Sequence, residues 1–185
     1  LILLAKNKTG YRNLLQLTSV AHLKGFYYKP RIDWELLHEH SDGLICLTAC
    51  LNGPIARPIS QKNEALAREN LKKLQKIFGP EDLYLEMQHR PTLADQSLVN
   101  NTLKKYAQEY NLPLVATNDI HYVEAQDALA HDILICLQTK AKVSDKDRMS
   151  YLGEDFSLLS TEEMQEHFAD TPEALTNTVK IAERC

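Results

Sequence analysis

Leu112-Pro113-Leu114-Val115-Ala116-Thr117-Asn118-Asp119-Ile120-His121-Tyr122 is the stretch whose reading decides the fold. Pro113 opens an apolar run, Leu114 to Ala116, that reads as a buried strand, since proline is tolerated at a first strand position and β-branched residues suit a pleated interior. The run stops abruptly in polar residues. Asp119 and His121 stand two apart beyond it, and in an extended segment both side chains project to the same side. A carboxylate and an imidazole so placed are metal-ligand types at metal-ligand spacing. The same residues also fit a turn in which Asn118 or Asp119 hydrogen-bonds its own backbone while His121 lies on the surface.

Outward from this strand, the pattern repeats. Gly43 to Thr48 is another continuous apolar strand, followed by a loop and a helix with Ala67, Leu71, Leu74 and Phe78 on one face, closed by Gly79-Pro80. Leu83 to Met87 reads as a further strand, and a helix over about 94–110 carries Val99, Leu103, Tyr106 and Tyr110 on one stripe before the strand at 113–117. Ala125 to Leu137 is helical by spacing. Strands and helices thus alternate at a repeat of roughly thirty residues, which argues for right-handed β-α-β units, a parallel sheet and an α/β fold.

In such folds chemistry gathers at the carboxyl edge, where strands end and loops begin. Thr48-Ala49-Cys50, Glu86-Met87-Gln88-His89 and Asn118-Asp119-Ile120-His121 all fall there. Cys50, Asp119 and His121 are the candidate metal ligands, with Glu86 and His89 as groups that hold or orient them. Each has a plainer role: Cys50 as a small buried hydrophobe, Glu86 directed to solvent, His89 capping the loop before Pro91. His131 lies mid-helix on an apolar face and reads as a satisfied interior histidine or a support for the site. His22 and His167 read as surface residues.

Length and composition narrow the classes. The 185 residues, 44% of them apolar, suffice for one sizeable core. A formal charge of −4 gives no overall basic field, so any nucleic-acid contact must be local. Cys46, Cys50, Cys136 and Cys185 lack the C-x-x-C spacing of zinc or redox motifs and are too few for a disulfide scaffold, so they read as free thiols in a reducing compartment. No apolar run approaches membrane length and Leu1 to Ala5 lacks a basic flank, so the expectation is a soluble cytoplasmic protein without a membrane partner. The start at Leu1, inside an apolar strand and without Met, reads as a piece of something longer.

Residues 1–5 resemble a strand, Asn7 to Gly10 a turn, and 10–24 an amphipathic helix ended by Gly25. Gly25-Phe26-Tyr27-Tyr28-Lys29-Pro30-Arg31-Ile32-Asp33 is an aromatic and basic loop before a short helix that Asp33 caps. Lys29 and Arg31 there are candidate nucleic-acid contacts, because aromatics interleaved with cations stack bases and neutralise phosphates. Aromatics packed down beside cations facing water fit the same residues. His38 and His40, near Glu35 and Glu39, read as a solvated helix face. Toward the other end, Ser160-Thr161-Glu162-Glu163 is a capping box and Thr171-Pro172-Glu173 opens a last helix with Leu175, Val179 and Ala182.

Several stretches together resemble the alpha subunits of bacterial DNA polymerase III. They are Leu3 to Asn7 with Gly10 to Leu14, Gly25 to Asp33, Val115 to Tyr122, and Glu162 to Met164 with Glu173 to Thr178. The resemblance implies that 1–150 is a polymerase-and-histidinol-phosphatase (PHP) domain lacking its first strands, and 151–185 a helical connection toward the palm. It implies a partial distorted β/α barrel whose carboxyl edge holds zinc or manganese, up to three ions in the complete domain. In active relatives that cluster supports phosphoester hydrolysis, including 3′ to 5′ exonuclease proofreading. Cys50 matches the soft ligand after its strand, and Asp119 and His121 the final Asp-x-His pair. No catalytic group is assigned.

The family's opening His-x-His ligands, with a Glu and a His after them, are expected upstream of Leu1. The magnesium-binding palm aspartates are expected beyond Cys185, so DNA synthesis belongs to the full-length protein. The implied partners are DNA, the sliding clamp, the clamp loader and a proofreading subunit. Two further readings stay open: an inactive structural and interaction scaffold within the polymerase, and a free-standing PHP phosphatase acting on a small phosphate ester.

Overall fold

Local sequence fixes where most elements start. The computed structural model describes residues 1–185. Strand β1 (Ile2–Ala5) leads to helix α1 (Lys8–Leu23), whose N-cap is Asn7: its Oδ1 accepts from the Gly10 N–H at 2.9 Å. The expected turn over Asn7 to Gly10 is therefore already the first helical turn, because an Asn side chain that satisfies an orphan N–H starts a helix as readily as a bend. Asp33 caps α2 (Trp34–Glu39) through the Leu36 N–H, as its sequence position indicates.

From there strand and helix alternate. The succession is β2 (Leu44–Leu47), a short α3 (Ala56–Ser60) not foreseen in the loop, α4 (Glu64–Phe78), β3 (Leu83–Gln88), α5 (Ala94–Tyr110) and β4 (Leu114–Thr117). A single 3-10 turn, Ala125–Asp127, precedes α6 (Ala128–Thr139), and α7 (Thr161–His167) and α8 (Pro172–Arg184) follow. The Ser160 and Glu163 capping box forms as the sequence indicates.

The sheet order is β1-β2-β3-β4. Strands β2, β3 and β4 are parallel, whereas β1 runs antiparallel to β2 with Leu4 opposite Ile45. The mixed sheet alternates with helices, as the spacing of apolar runs indicates. One face, with Leu44, Cys46, Leu83, Leu85, Met87, Leu114 and Ala116, packs on α4 and α5 in the main core. In α4 the stripe Ala67, Leu71 and Leu74 is wholly buried and Phe78 is 8% exposed. Each buried Leu stabilises by roughly 1.5–3 kcal/mol relative to exposure. The other face carries Ile45, Leu47, Tyr84 and Val115, and Ile181 of α8 closes on it.

Helix α8 is fastened to this face at its middle and at its C-terminal end. Asn177 Nδ2 donates to the Leu114 carbonyl at 2.7 Å, and Arg184 donates to the Tyr84 hydroxyl at 3.1 Å and pairs with Asp82. Lys6 reaches the same Asp82 at 2.5 Å, so the carboxyl end of β1, the amino end of β3 and the end of α8 are joined by one carboxylate between two cations. Helix α6 is less enclosed: Leu129, Ile133, Leu134 and Leu137 are all more than half exposed, while Ile135 and Cys136 are buried. No helix is long and apolar enough to cross a membrane.

Candidate functional site

The carboxyl ends of β2, β3 and β4 converge on Glu86. Its period-2 register puts it on the face shared by Leu47, Val115 and Thr117, and it is 3% exposed, so the reading of Glu86 toward solvent is excluded. Both carboxylate oxygens are bonded inside the protein. Oε2 accepts from the Ala49 N–H at 2.8 Å and Oε1 from the Thr117 hydroxyl at 2.6 Å, while the Glu86 N–H donates to Thr48 Oγ1 at 2.8 Å. One side chain thereby ties the loop after β2 to the end of β4. Burial pushes its carboxyl above the usual range, the Thr117 and Ala49 bonds oppose that, and the Asp119 charge adds to it.

Two non-glycine residues flank this carboxylate in left-handed backbone, Ala49 at φ 64° and Asp119 at φ 51°. Such conformations cost on the order of 1 kcal/mol or more each and persist only where the surroundings over-determine them. At Ala49 the Glu86 bond does so. At Asp119 the consequence is a correction: the backbone there is left-handed rather than extended, so strand alternation does not set the directions of Asp119 and His121. His121 Nδ1 turns back to the Asp119 carbonyl at 2.7 Å, which assigns the ring proton to Nδ1 and leaves Nε2 free.

Arg90 organises the rest. It is 5% exposed, and its guanidinium lies 4.1 Å from the Phe156 ring centre. It donates to the His89 carbonyl at 2.9 Å, to Asn118 Oδ1 at 3.3 Å, and to the Asn118 carbonyl, and it approaches the Asp119 carbonyl at 3.5 Å. Its Nε is buried without a partner. Asn118 in turn donates to the Ser157 carbonyl at 2.6 Å. The 119–122 turn is therefore clamped between β3 and the 156–157 segment, and the His121 N–H donates to the Phe156 carbonyl at 2.9 Å.

His121 sits among rings, 5.0 Å from Phe156, 5.1 Å from Tyr151 and 5.3 Å from His131. His131 is half-buried in that cluster, close to the supporting role foreseen for it. His89 does not cap its loop. Its ring stacks on His167 at 3.8 Å, and burial, then His167 and Arg90, lower its pKa below the usual histidine value. His167 is half-buried rather than a surface residue, with a buried Nδ1 that has no partner. Cys50 is half-buried in the loop after β2, where its carbonyl accepts from the Gly53 N–H at 2.7 Å.

The donor types of Cys50, Asp119 and His121 suit zinc or manganese. Their arrangement in this chain does not close a site, because no three His, Cys, Asp or Glu side chains form a group able to hold a metal ion. Glu86 is spent on protein hydrogen bonds and the Arg90 charge stands beside Asp119. Arg90 is the residue organising this edge that sequence reading missed, and nothing in the order His89-Arg90-Pro91 signals a buried cation. The aromatic loop also differs from the packed-down alternative: Phe26, Tyr27 and Tyr28 are 60%, 63% and 83% exposed.

Residues 1–90 match the family model described as PHP domain. Over its whole length the chain is 50% identical to a DNA polymerase III subunit alpha of Borreliella burgdorferi and 44% identical to that of Treponema pallidum, spanning 16% of each. It is 43% identical to the same subunit of Thermus aquaticus, again across the full chain and 15% of the relative. With the arc of parallel strands and its crowded carboxyl edge, these matches show that the chain belongs to the DNA polymerase III alpha-subunit family, as a PHP-domain portion of it.

Proposed function

We propose that this chain is the PHP segment of a replicative DNA polymerase, and that its carboxyl edge contributes Cys50, Asp119 and His121 to a metal site completed by ligands outside the chain. Residues 1–150 form the PHP part, and 151–185 begin the connection toward the palm, with α8 docked on the sheet. DNA synthesis, with magnesium in the palm, belongs to the full-length protein, as do contacts with DNA, sliding clamp, clamp loader and proofreading subunit. The observation that carries the reading is the convergence of three parallel strand ends on one edge, where Asp119 lies near enough to Glu86 for its charge to raise that carboxyl. With ligands from outside the chain, Cys50, Asp119 and His121 would hold zinc or manganese, which would supply Lewis acidity and an activated water for 3′ to 5′ phosphoester hydrolysis. The chain's own part is to present Asp119 and His121 on a turn fixed by Arg90.

A second reading is favoured by Arg90 itself. A buried guanidinium beside Asp119 opposes cation binding there, which suits a PHP segment kept as a brace for the polymerase. Full-length protein and its Asp119→Ala variant, each measured for bound metal by elemental analysis and for primer extension, separate the two. Zinc or manganese that falls in the variant supports the metal site. Metal-free protein that still extends primers leaves the brace, and absence of primer extension by both refutes the polymerase assignment.

A further inference from the structure

Charge is segregated along the chain. Residues 1–32 hold six Lys and Arg and no Asp or Glu, whereas the other fifteen basic residues share 33–185 with all twenty-five acidic ones. Of those six cations only Lys6 is in an ion pair, with Asp82. Lys24, Lys29 and Arg31 border the exposed rings of Phe26, Tyr27 and Tyr28 in the loop after α1, and Leu23 beside them is 83% exposed.

The loop holds its rings outward by design of its backbone. Tyr28 takes a left-handed φ of 59°, and the Tyr27 N–H donates to the Lys29 carbonyl at 3.1 Å, closing a tight reversal. Gly25 lies so close to the Arg31 carbonyl that a Cβ there has no room, which anchors the two ends of the loop together. Tyr27 and Tyr28 meet edge to face at 4.7 Å, and the Arg31 guanidinium stands 4.9 Å from the Tyr27 ring centre. Exposed rings fixed in place next to unpaired cations match unpaired bases joined by phosphates. Base faces stack on aromatics without sequence preference, and Lys and Arg neutralise the backbone. A duplex hides those faces, so the ligand is single-stranded.

We propose that Phe26, Tyr27 and Tyr28 form a stacking platform for the bases of a single-stranded nucleic acid whose phosphates are met by Lys24, Lys29 and Arg31. This does not rest on the metal site or on the polymerase reading. The test is photo-crosslinking of the full-length protein to oligonucleotides carrying 5-iodouracil, in single-stranded DNA, single-stranded RNA and duplex arms, with adducts mapped by mass spectrometry. Adducts at residues 26–28 are expected from a single strand and not from the duplex, and the two single-stranded arms show which sugar is preferred. Tyr28→Phe should retain the adduct, since stacking needs no hydroxyl. A Tyr28→Ala change should weaken the platform about tenfold, read as loss of adduct at Tyr27. Lys29→Glu with Arg31→Glu should abolish the adduct at 26–28 while the Leu85 amide keeps its protection from hydrogen exchange, which shows the fold intact. Absence of adducts at 26–28, equal adducts from the duplex, or capture of another protein by these rings in place of the oligonucleotide overturns the proposal.

Discussion

Arg90→Ala is expected to open the 119–122 turn while leaving the sheet intact. The guanidinium serves four acceptors, the carbonyls of His89, Asn118 and Asp119 and the Asn118 side chain, and rests on Phe156. Hydrogen bonds to a charged group contribute about 1.5–3 kcal/mol each, and a desolvated cation on a ring about 2. Against them stands the cost of burying the guanidinium, several kcal/mol. A net loss of about 3 kcal/mol follows, roughly two orders of magnitude in local opening. Native-state hydrogen exchange of the full-length protein reads it directly. The His121 amide, bonded to the Phe156 carbonyl, and the Phe156 amide, bonded to the Tyr122 hydroxyl, should lose protection, while the Leu85 amide, bonded to the Pro113 carbonyl, should not. Arg90→Lys keeps the charge and loses the planar fork, so it should recover less than half of the effect. Exchange at His121 and Phe156 within about fivefold of the parent in both variants would refute the view that Arg90 clamps this turn.

The other perturbations act at separate places. Arg148 bonds both oxygens of buried Asp132, at 2.7 and 2.5 Å, so Arg148→Ala should free the 140–155 segment from α6 at a cost of about 3 kcal/mol or more, seen as exchange at Ser150 to Leu152. Arg148, then Ser150, hold the Asp132 carboxyl below its usual range; the contribution is complete above about pH 4 and lost as pH falls through the lower folded value, so the segment should open in acid. Gly10→Ala drives a Cβ into the Gly43 carbonyl, backbone against backbone, and should lower the midpoint of denaturation by the equivalent of about 2 kcal/mol or more, whereas Gly153→Ala, with open space around it, should not. Burial pushes the Cys46 thiol up to about 12, so alkylation at neutral pH should mark exposed Cys185 and spare Cys46 until the chain unfolds.

What the sequence displayed was whatever is local. The Ala67, Leu71, Leu74 and Phe78 stripe, the caps at Asp33 and Ser160, and the run from Leu114 to Thr117 each follow from spacing within one element. The antiparallel β1 was hidden because strand direction is set by the path of α1 and α2, not by the residues of Leu3 or Leu4. Arg90 was hidden for a related reason. A cation is recognisable as buried only through partners that the fold brings to it, here Asn118, twenty-eight residues on, and Phe156 farther still.

The site was half legible for the same physical reason. Strand ends predict which residues share an edge, and Cys50, Glu86 and Asp119 do stand at the ends of neighbouring strands. Whether side chains at that edge face one another depends on backbone that no periodicity encodes. At Ala49 and Asp119 the chain takes the left-handed region, the first turning its N–H onto Glu86 and the second sending His121 into a ring cluster with Tyr151 and Phe156. A carboxylate edge left to itself would repel, since Asp119 and burial both work against a charge on Glu86. The fold answers that repulsion with a hydroxyl, an amide and one guanidinium, all from this chain. The metal reading requires that cations and ligands from outside displace part of that internal compensation. If so, Asp119→Asn should leave the turn's hydrogen exchange nearly unchanged while lowering bound metal in full-length protein. In the brace reading the same variant should change neither, because Arg90 binds the backbone carbonyls of Asn118 and Asp119 rather than the Asp119 carboxylate.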